Sequence, residues 1–209
     1  MSEIKDKSIE LFLDELASKS PTPGGGSVSA LMGAQSAALV SMVCNLTIGK
    51  PKYIEVEAEM IDLLEKSEAL REKLMALISA DVCTFDQLMA AYGLPKETDE
   101  EKLHRSEMIQ QALKMATQVP LDCAKACAEA IKLSRRAANN GSLVVISDAG
   151  AAVMSAFGGL KSAALNVYIN TNSLKDSAFV QVTLAELDAV LKNVDVSVEE
   201  IYQTVRAKL

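Results

Sequence analysis

Apolar side chains recur along most of this chain at the three- and four-residue steps of an α-helix. Ile9, Leu11, Phe12, Leu13 and Leu16 give a first helix its apolar face. That helix ends before Ser20, because Pro21-Thr22-Pro23-Gly24-Gly25-Gly26 cannot remain helical. A second helix is expected over residues 27–48. A long third pattern runs over 53–92, where Leu63, Ser67, Leu70, Leu74, Leu77, Asp81, Thr84, Leu88 and Ala91 repeat in steps of four and three. Such a repeat forms a seam that faces other helices. Gly93-Leu94-Pro95 stops it.

Thr98-Asp99-Glu100-Glu101 reads as a capping box, in which Thr98 and Glu101 satisfy each other's amides at the start of the next helix. Pro120 is expected to end or restart a helix. Beyond it Leu121, Ala124, Ala128 and Ile131 face inward, opposite Lys125, Glu129, Lys132 and Arg136. Asn139-Asn140-Gly141 is a helix stop. Two Ala-rich helices follow, 142–157 and 160–170, separated by Gly158-Gly159, and a last helix runs from Ser177 to the C-terminus. There is no alternating strand pattern, internal repeat or linker, and Leu143-Val144-Val145-Ile146 is too short to change the class. The pattern predicts an all-α chain: one domain over 1–209, built as a multi-helix bundle with long antiparallel helices.

No charged residue occurs from Ser20 to Gly49. Residues 28–48 are long enough to cross a bilayer. Ser29, Gln35, Ser36, Ser41 and Asn45 interrupt the stretch, however, and small residues dominate it. A buried central helix fits better than a membrane span, since Ala30, Gly33, Ala34, Ala37 and Ala38 let neighbouring helices approach closely. The small-residue faces of 27–48 and 142–165 exceed what one bundle needs, which predicts a homodimer.

Hydrophobic residues make up 49% and charged residues 23%, ordinary values for a folded chain, so wholesale disorder is excluded. Scarce aromatics (4%, no Trp) and abundant Ala, Leu, Met, Glu and Lys favour helix. The net charge of -7, with no basic stripe, argues against nucleic acid. An anionic substrate would therefore need a locally positive pocket. Cys44, Cys83, Cys123 and Cys127 lie in apolar helical patterns, and residues 1–20 lack an apolar signal core. Reduced thiols and a cytoplasmic location are expected. Cys123 and Cys127 are one turn apart, but no further Cys or His completes a zinc set, so no metal is expected.

Few residues offer chemistry. Pro23, Gly24, Gly25, Gly26 and Ser27 lead into a helix whose bare amides at a positive dipole end suit a carboxylate, phosphate or carbonyl oxygen. The same loop also reads as a hinge between helices. It is neither a Walker loop nor a dinucleotide fingerprint. Asp81 occupies a seam position that is apolar above and below. Burial there would raise its pKa toward the range of a general acid or base, unless it is simply a partnered structural carboxylate. Lys50 is either a cation beside a pocket or a complement to a helix C-terminus. Ser147-Asp148, and Asn166 with Asn170 on one helix face, are polar islands that read as a pocket lining or as an internal hydrogen-bond network. His104 is the only His and sits among charges, so triad and His-metal mechanisms are hard to build.

Taken in order, these elements resemble a known family. They are Phe12-Leu13-Asp14-Glu15-Leu16, Pro21-Thr22-Pro23-Gly24-Gly25-Gly26-Ser27-Val28-Ser29-Ala30, the Ala-rich helix ending Gly49-Lys50, Ala80-Asp81 with Phe85, Val119-Pro120-Leu121, Asn140-Gly141, Ser147-Asp148 and Asn166-Val167-Tyr168-Ile169-Asn170. Nearly the whole chain is similar to the cyclodeaminase half of formiminotransferase–cyclodeaminase.

The resemblance implies an all-helical, dimeric, folate-binding enzyme. It would convert 5-formiminotetrahydrofolate to 5,10-methenyltetrahydrofolate and ammonia, with Asp81 in the catalytic position. Relatives carry a second acid two residues earlier, where this chain has Ser79. No cofactor beyond the tetrahydrofolate substrate is implied. The formimino substrate would come from a separate formiminotransferase. The substrate site is expected where residues 23–27, Asp81, Asp148, Asn166 and Asn170 converge, within one protomer or across the dimer, with Lys50 supplying positive field. Two alternatives are methenyltetrahydrofolate cyclohydrolase activity and a non-catalytic helical dimerisation module.

Overall fold

The computed structural model describes residues 6–209. The expectation for residues 1–20 falls partly on residues 1–5, which lie outside the described residues. Seven α-helices follow one another: α1 (Ile9–Leu16), α2 (Gly25–Asn45), α3 (Glu57–Tyr92), α4 (Asp99–Asn140), α5 (Ile146–Thr171), α6 (Ser177–Leu191) and α7 (Val194–Arg206). Short 3₁₀ turns at Pro51–Val56 and Leu143–Val145 lead into α3 and α5. The described residues contain no strand.

Helices α2 to α5 form the centre, each antiparallel to its chain neighbour. Between α2 and α3, Ser27 meets Asp81 and Ser41 meets Ser67. Between α2 and α5, the hydroxyl of Ser155 donates to Met32 O, and Thr47 Oγ1 accepts from the Ser142 amide. Arg136 ties the end of α4 to Glu59 and Asp62 at the start of α3. The seam of α3 is buried at Leu63, Ser67, Leu70, Leu74, Leu88 and Ala91. Ile78 is more deeply buried than Leu77, because α3 packs on both α2 and α4 and a 3.6-residue period drifts off a strict heptad. Helix α7 lies across α4 and α5, where Arg135 meets Ser197 and Glu200, and Lys161 meets Asp195.

By length and composition, three segments could cross a membrane: Gly25–Asn45, Pro51–Tyr92 and Leu143–Thr171. In the fold they pack on one another and on α4, with the hydroxyls of Ser27, Ser29, Ser41 and Thr47 hydrogen-bonded inside. The apolar length of α2 thus reflects its place at the centre of the bundle.

Several sequence expectations change. Pro120 does not interrupt anything: it lies inside the 42-residue helix α4. Proline removes the amide that would bond to the carbonyl four residues back. That carbonyl, Ala116 O, instead accepts from Asn170 Nδ2 of α5 at 2.7 Å. Gly158-Gly159 does not divide α5 either. A Cβ on Gly159 would lie 2.8 Å from Ser29 O, so the glycine serves close approach to α2 rather than a break. The final helix is two, because Asn193 adopts φ 60° between α6 and α7. The second helix begins at Gly25, inside the glycine run. Within one protomer, small residues of α2 and α5 pack against each other, as where a Cβ on Gly159 would lie 2.8 Å from Ser29 O.

Candidate active site

The glycine run meets the middle of α3 at one end of α2. Gly24 is the N-cap, so the first amides of α2 point outward at its positive end. One turn in, the buried Ser27 hydroxyl donates to Asp81 Oδ2 at 2.8 Å. Gly26 is packed directly against the same carboxylate: a Cβ there would fall 1.9 Å from Oδ1 and 2.5 Å from Cγ. Any side chain at 26 would displace Asp81, so the glycine is what lets the carboxylate approach the helix start. Burial pushes the Asp81 carboxyl above its ordinary range, while the Ser27 hydroxyl and backbone amide pull it part of the way back.

Asn166 closes the other side. Its side-chain nitrogen lies 3.6 Å from where a Cβ on Gly25 would sit, and it donates to Ser162 O within its own helix. Pro23, buried and joined to Thr22 by a cis bond, precedes the cap. Gly24, Gly25, Gly26, Ser27, Asp81 and Asn166 therefore form one constellation of backbone amides, a side-chain amide and a half-buried carboxylate. Such a set can hold a polar heterocycle and move a proton beside it.

Within one protomer, Lys50 and Asp148 lie apart from this constellation. Lys50 lies past the C-terminal end of α2, where its ammonium donates to Ser142 Oγ at 3.3 Å. Twenty-one helical residues separate that end from Gly25, about 30 Å at 1.5 Å per residue. Asp148, in the first turn of α5, is likewise at the end opposite Asn166, about 27 Å along the helix. Within a protomer these two do not join Asp81, because α2 and α5 are long and antiparallel. Asn170 sits one turn beyond Asn166, but its amide is engaged by Ala116 O. His104 is exposed. Cys44, Cys123 and Cys127 are buried and Cys83 is exposed; burial pushes the Cys44 thiol up to about 12.

A groove lies about one helical turn from Asp81, at Ile78. It has a volume of about 490 Å³ and lies between α1, α2 and α3, lined by Phe12, Leu31, Gln35, Met75 and Ile78 among others. Sequence reasoning did not find it. The apolar face of α1 was visible, but nothing in the sequence says that α1 folds over α2 and α3.

Comparison with known proteins decides the family. The Formiminotransferase-cyclodeaminase family profile matches residues 8–189. The chain belongs to this family. It is 56% identical over 204 residues to methenyltetrahydrofolate cyclohydrolase of Methylorubrum extorquens, covering 98% of both chains. It is 32% identical over 187 residues to formimidoyltransferase-cyclodeaminase of Rattus norvegicus, covering 90% of this chain and 35% of that protein. The crystal structure of formiminotetrahydrofolate cyclodeaminase from Thermotoga maritima superposes with a TM-score of 0.82 at 32% identity, covering 99% of this chain and 98% of the other. This family member is therefore an enzyme of the cyclohydrolase/cyclodeaminase group, and an all-α helical bundle.

Proposed function

We propose that this chain hydrolyses 5,10-methenyltetrahydrofolate, using Asp81 as general base and acid. The observation that carries the chemistry is the carboxylate of Asp81, half-buried between Gly26 and Ser27, with its pKa raised by burial. The choice of cyclohydrolase rests on 56% identity over 98% of both chains. The methenyl carbon lies between two nitrogens that share a positive charge, and a buried carboxylate complements it. Water adds to that carbon and gives one proton to Asp81. The bond from carbon to N5 then breaks as Asp81 returns the proton to N5. The remaining hydroxyl proton leaves to solvent as the formyl C=O forms on N10. The amides of the Gly24–Ser27 segment and Asn166 hold the folate, and the reaction needs no cofactor beyond it.

A second reading is supported by the match to the Thermotoga maritima cyclodeaminase. In it N10 attacks the formimino carbon, Asp81 carries the N10 proton to the departing nitrogen, and ammonia leaves with one further proton taken up. A separate formiminotransferase would supply that substrate. The same positioned acid–base group serves both reactions.

One assay separates them. Loss of methenyl absorbance without ammonia is expected. Ammonia released from 5-formiminotetrahydrofolate selects the cyclodeaminase instead, and absence of folate binding selects a non-catalytic helical module. We further propose a homodimer, supported by the outward apolar side chains of α5, Leu165 and Ile169, which are 68% and 66% exposed. Sedimentation as a monomer at micromolar concentration overturns it.

A further inference from the structure

The groove between α1, α2 and α3 lies near the Ser27–Asp81 constellation. Along α2, Ser27, Leu31 and Gln35 follow at four-residue steps, so they share a face. Along α3, Ile78 lies one turn before Asp81, and Met75 one turn before Ile78. Leu31 is one turn from Ser27 and Ile78 one turn from Asp81, so the groove lies about one helical turn from the Ser27–Asp81 contact. Helix α1 roofs it and is anchored by one buried side chain, Phe12. Ile9 and Leu13 line the groove yet are 81% and 53% exposed, which leaves apolar surface uncovered beside the site. The volume of about 490 Å³ lies within the range of small-molecule sites.

Polarity and charge select the occupant. A tetrahydrofolate has a reacting centre with a different group on each side: a pterin edged with amide-like donors and acceptors, and a p-aminobenzoyl ring that continues into a glutamate. The pterin needs hydrogen-bond partners, which lie at Asn166 and the α2 amides. The groove offers mainly Ile9, Phe12, Leu13, Leu31, Met75 and Ile78, a lining for an apolar ring. Its charged lining residue is Lys7, held by Glu15. An ammonium carries three N–H donors and can bind a second carboxylate. In a chain of net charge -7, Lys7 is a positive group on the groove that can meet an anionic glutamate.

We propose that this groove seats the p-aminobenzoyl ring of the substrate and that Lys7 binds its glutamate carboxylate, an assignment that rests on the folate reading above. Lys7, Ile9 and Leu31 are then specificity residues, and α1 is the element that distinguishes a glutamate-bearing folate from one without it.

The test uses the full chain and two unreactive probes, 5-formyltetrahydrofolate and the matching pteroate that lacks glutamate, titrated by calorimetry. The wild-type chain is expected to bind the glutamate-bearing probe more tightly by up to about fivefold, the scale of a partly exposed ion pair. Lys7→Ala removes that difference and leaves affinity for the pteroate as it was. Leu31→Trp, which fills the groove, and Ile9→Glu, which places a charge at its lip, weaken both probes by about tenfold or more. Circular dichroism reports whether each variant folds. If Leu31→Trp does not fold, Ile9→Glu decides alone, because its side chain is exposed. Folded Leu31→Trp and Ile9→Glu variants with wild-type affinity for both probes overturn the groove assignment while methenyl turnover by the wild type stands. A wild-type chain that binds neither probe overturns the folate reading, and the groove assignment with it.

Discussion

Gly26 and Asp81 are packed so closely that a single methyl on the glycine would lie 1.9 Å from the carboxylate oxygen. The two residues are 55 positions apart, and only the antiparallel pairing of α2 and α3 brings them together. Asp81 cannot yield without losing the Ser27 hydroxyl at 2.8 Å. Gly26→Ala should therefore cost about 1–3 kcal/mol of stability by overpacking. It should also cost a larger share of activity, on the order of a hundredfold, because the acid–base group is misplaced. Urea denaturation and turnover on the same preparation check both. Native activity in Gly26→Ala would show that Asp81 has freedom the structure denies it.

Asp81→Asn keeps the size of the side chain and an acceptor for Ser27. It should fold and bind 5-formyltetrahydrofolate near-normally, yet lose turnover by a hundredfold or more, the usual share of a positioned acid–base group. Single-turnover kinetics on folded variant would settle the point. Near-native turnover removes Asp81 from the chemistry. An unfolded variant assigns it a structural role instead.

The raised pKa of Asp81 has a definite sign in stability and in rate. Unfolded, the carboxyl titrates at about 3.9. Folded, it titrates higher, because burial outweighs the Ser27 donors. Between those two values the folded state holds a proton that the unfolded state has released, so Asp81 costs stability increasingly as pH rises through that window. Below pH about 3.9 the cost is absent. Relative to the wild type, Asp81→Asn should thus gain stability as pH rises from 4 toward neutrality. Thermal melts across that range measure it, and a constant difference contradicts the shift. Ser27→Ala removes a donor to the ionised form, so the acid limb of kcat/KM should move to higher pH. An unmoved or lowered limb would separate Ser27 from the titration of Asp81.

Asn170 and Pro120 form a compensating pair across α4 and α5. Asn170 Nδ2 satisfies the Ala116 carbonyl at 2.7 Å, the very group that Pro120 leaves without its helical partner. Asn170→Ala should destabilise by about 1–3 kcal/mol, the cost of an unsatisfied buried acceptor. In a Pro120→Ala background the restored amide can bond Ala116 O, and the same substitution should cost much less. Equal costs in both backgrounds, from denaturant titrations of the four proteins, would show that the two residues are not coupled.

Sequence alone determined the class of fold and singled out Asp81 and the glycine run as candidate groups. Helical periodicity is local, so the seam of Leu63, Leu70 and Leu74, the Thr98–Glu101 capping box and the central burial of α2 were all legible from neighbours along the chain. Asp81 stood out for the same reason, as a carboxylate in an apolar repeat, and the glycine run before α2 stood out by composition. Tertiary structure decided which of these meet. Pro120 and Gly158-Gly159 look like breaks in sequence, yet α5 supplies the acceptor's partner at one and α2 demands close approach at the other. Within one protomer Lys50 and Asp148 lie roughly 30 and 27 Å along their helices from the glycine run and Asn166, because helices of 21 and 26 residues run antiparallel between the two ends. The groove beneath α1 has no sequence signature, since its walls come from three helices whose lining residues are scattered from Lys7 to Ile78. Periodicity fixes which face of a helix is buried; only the packing of helix on helix fixes what that face is buried against.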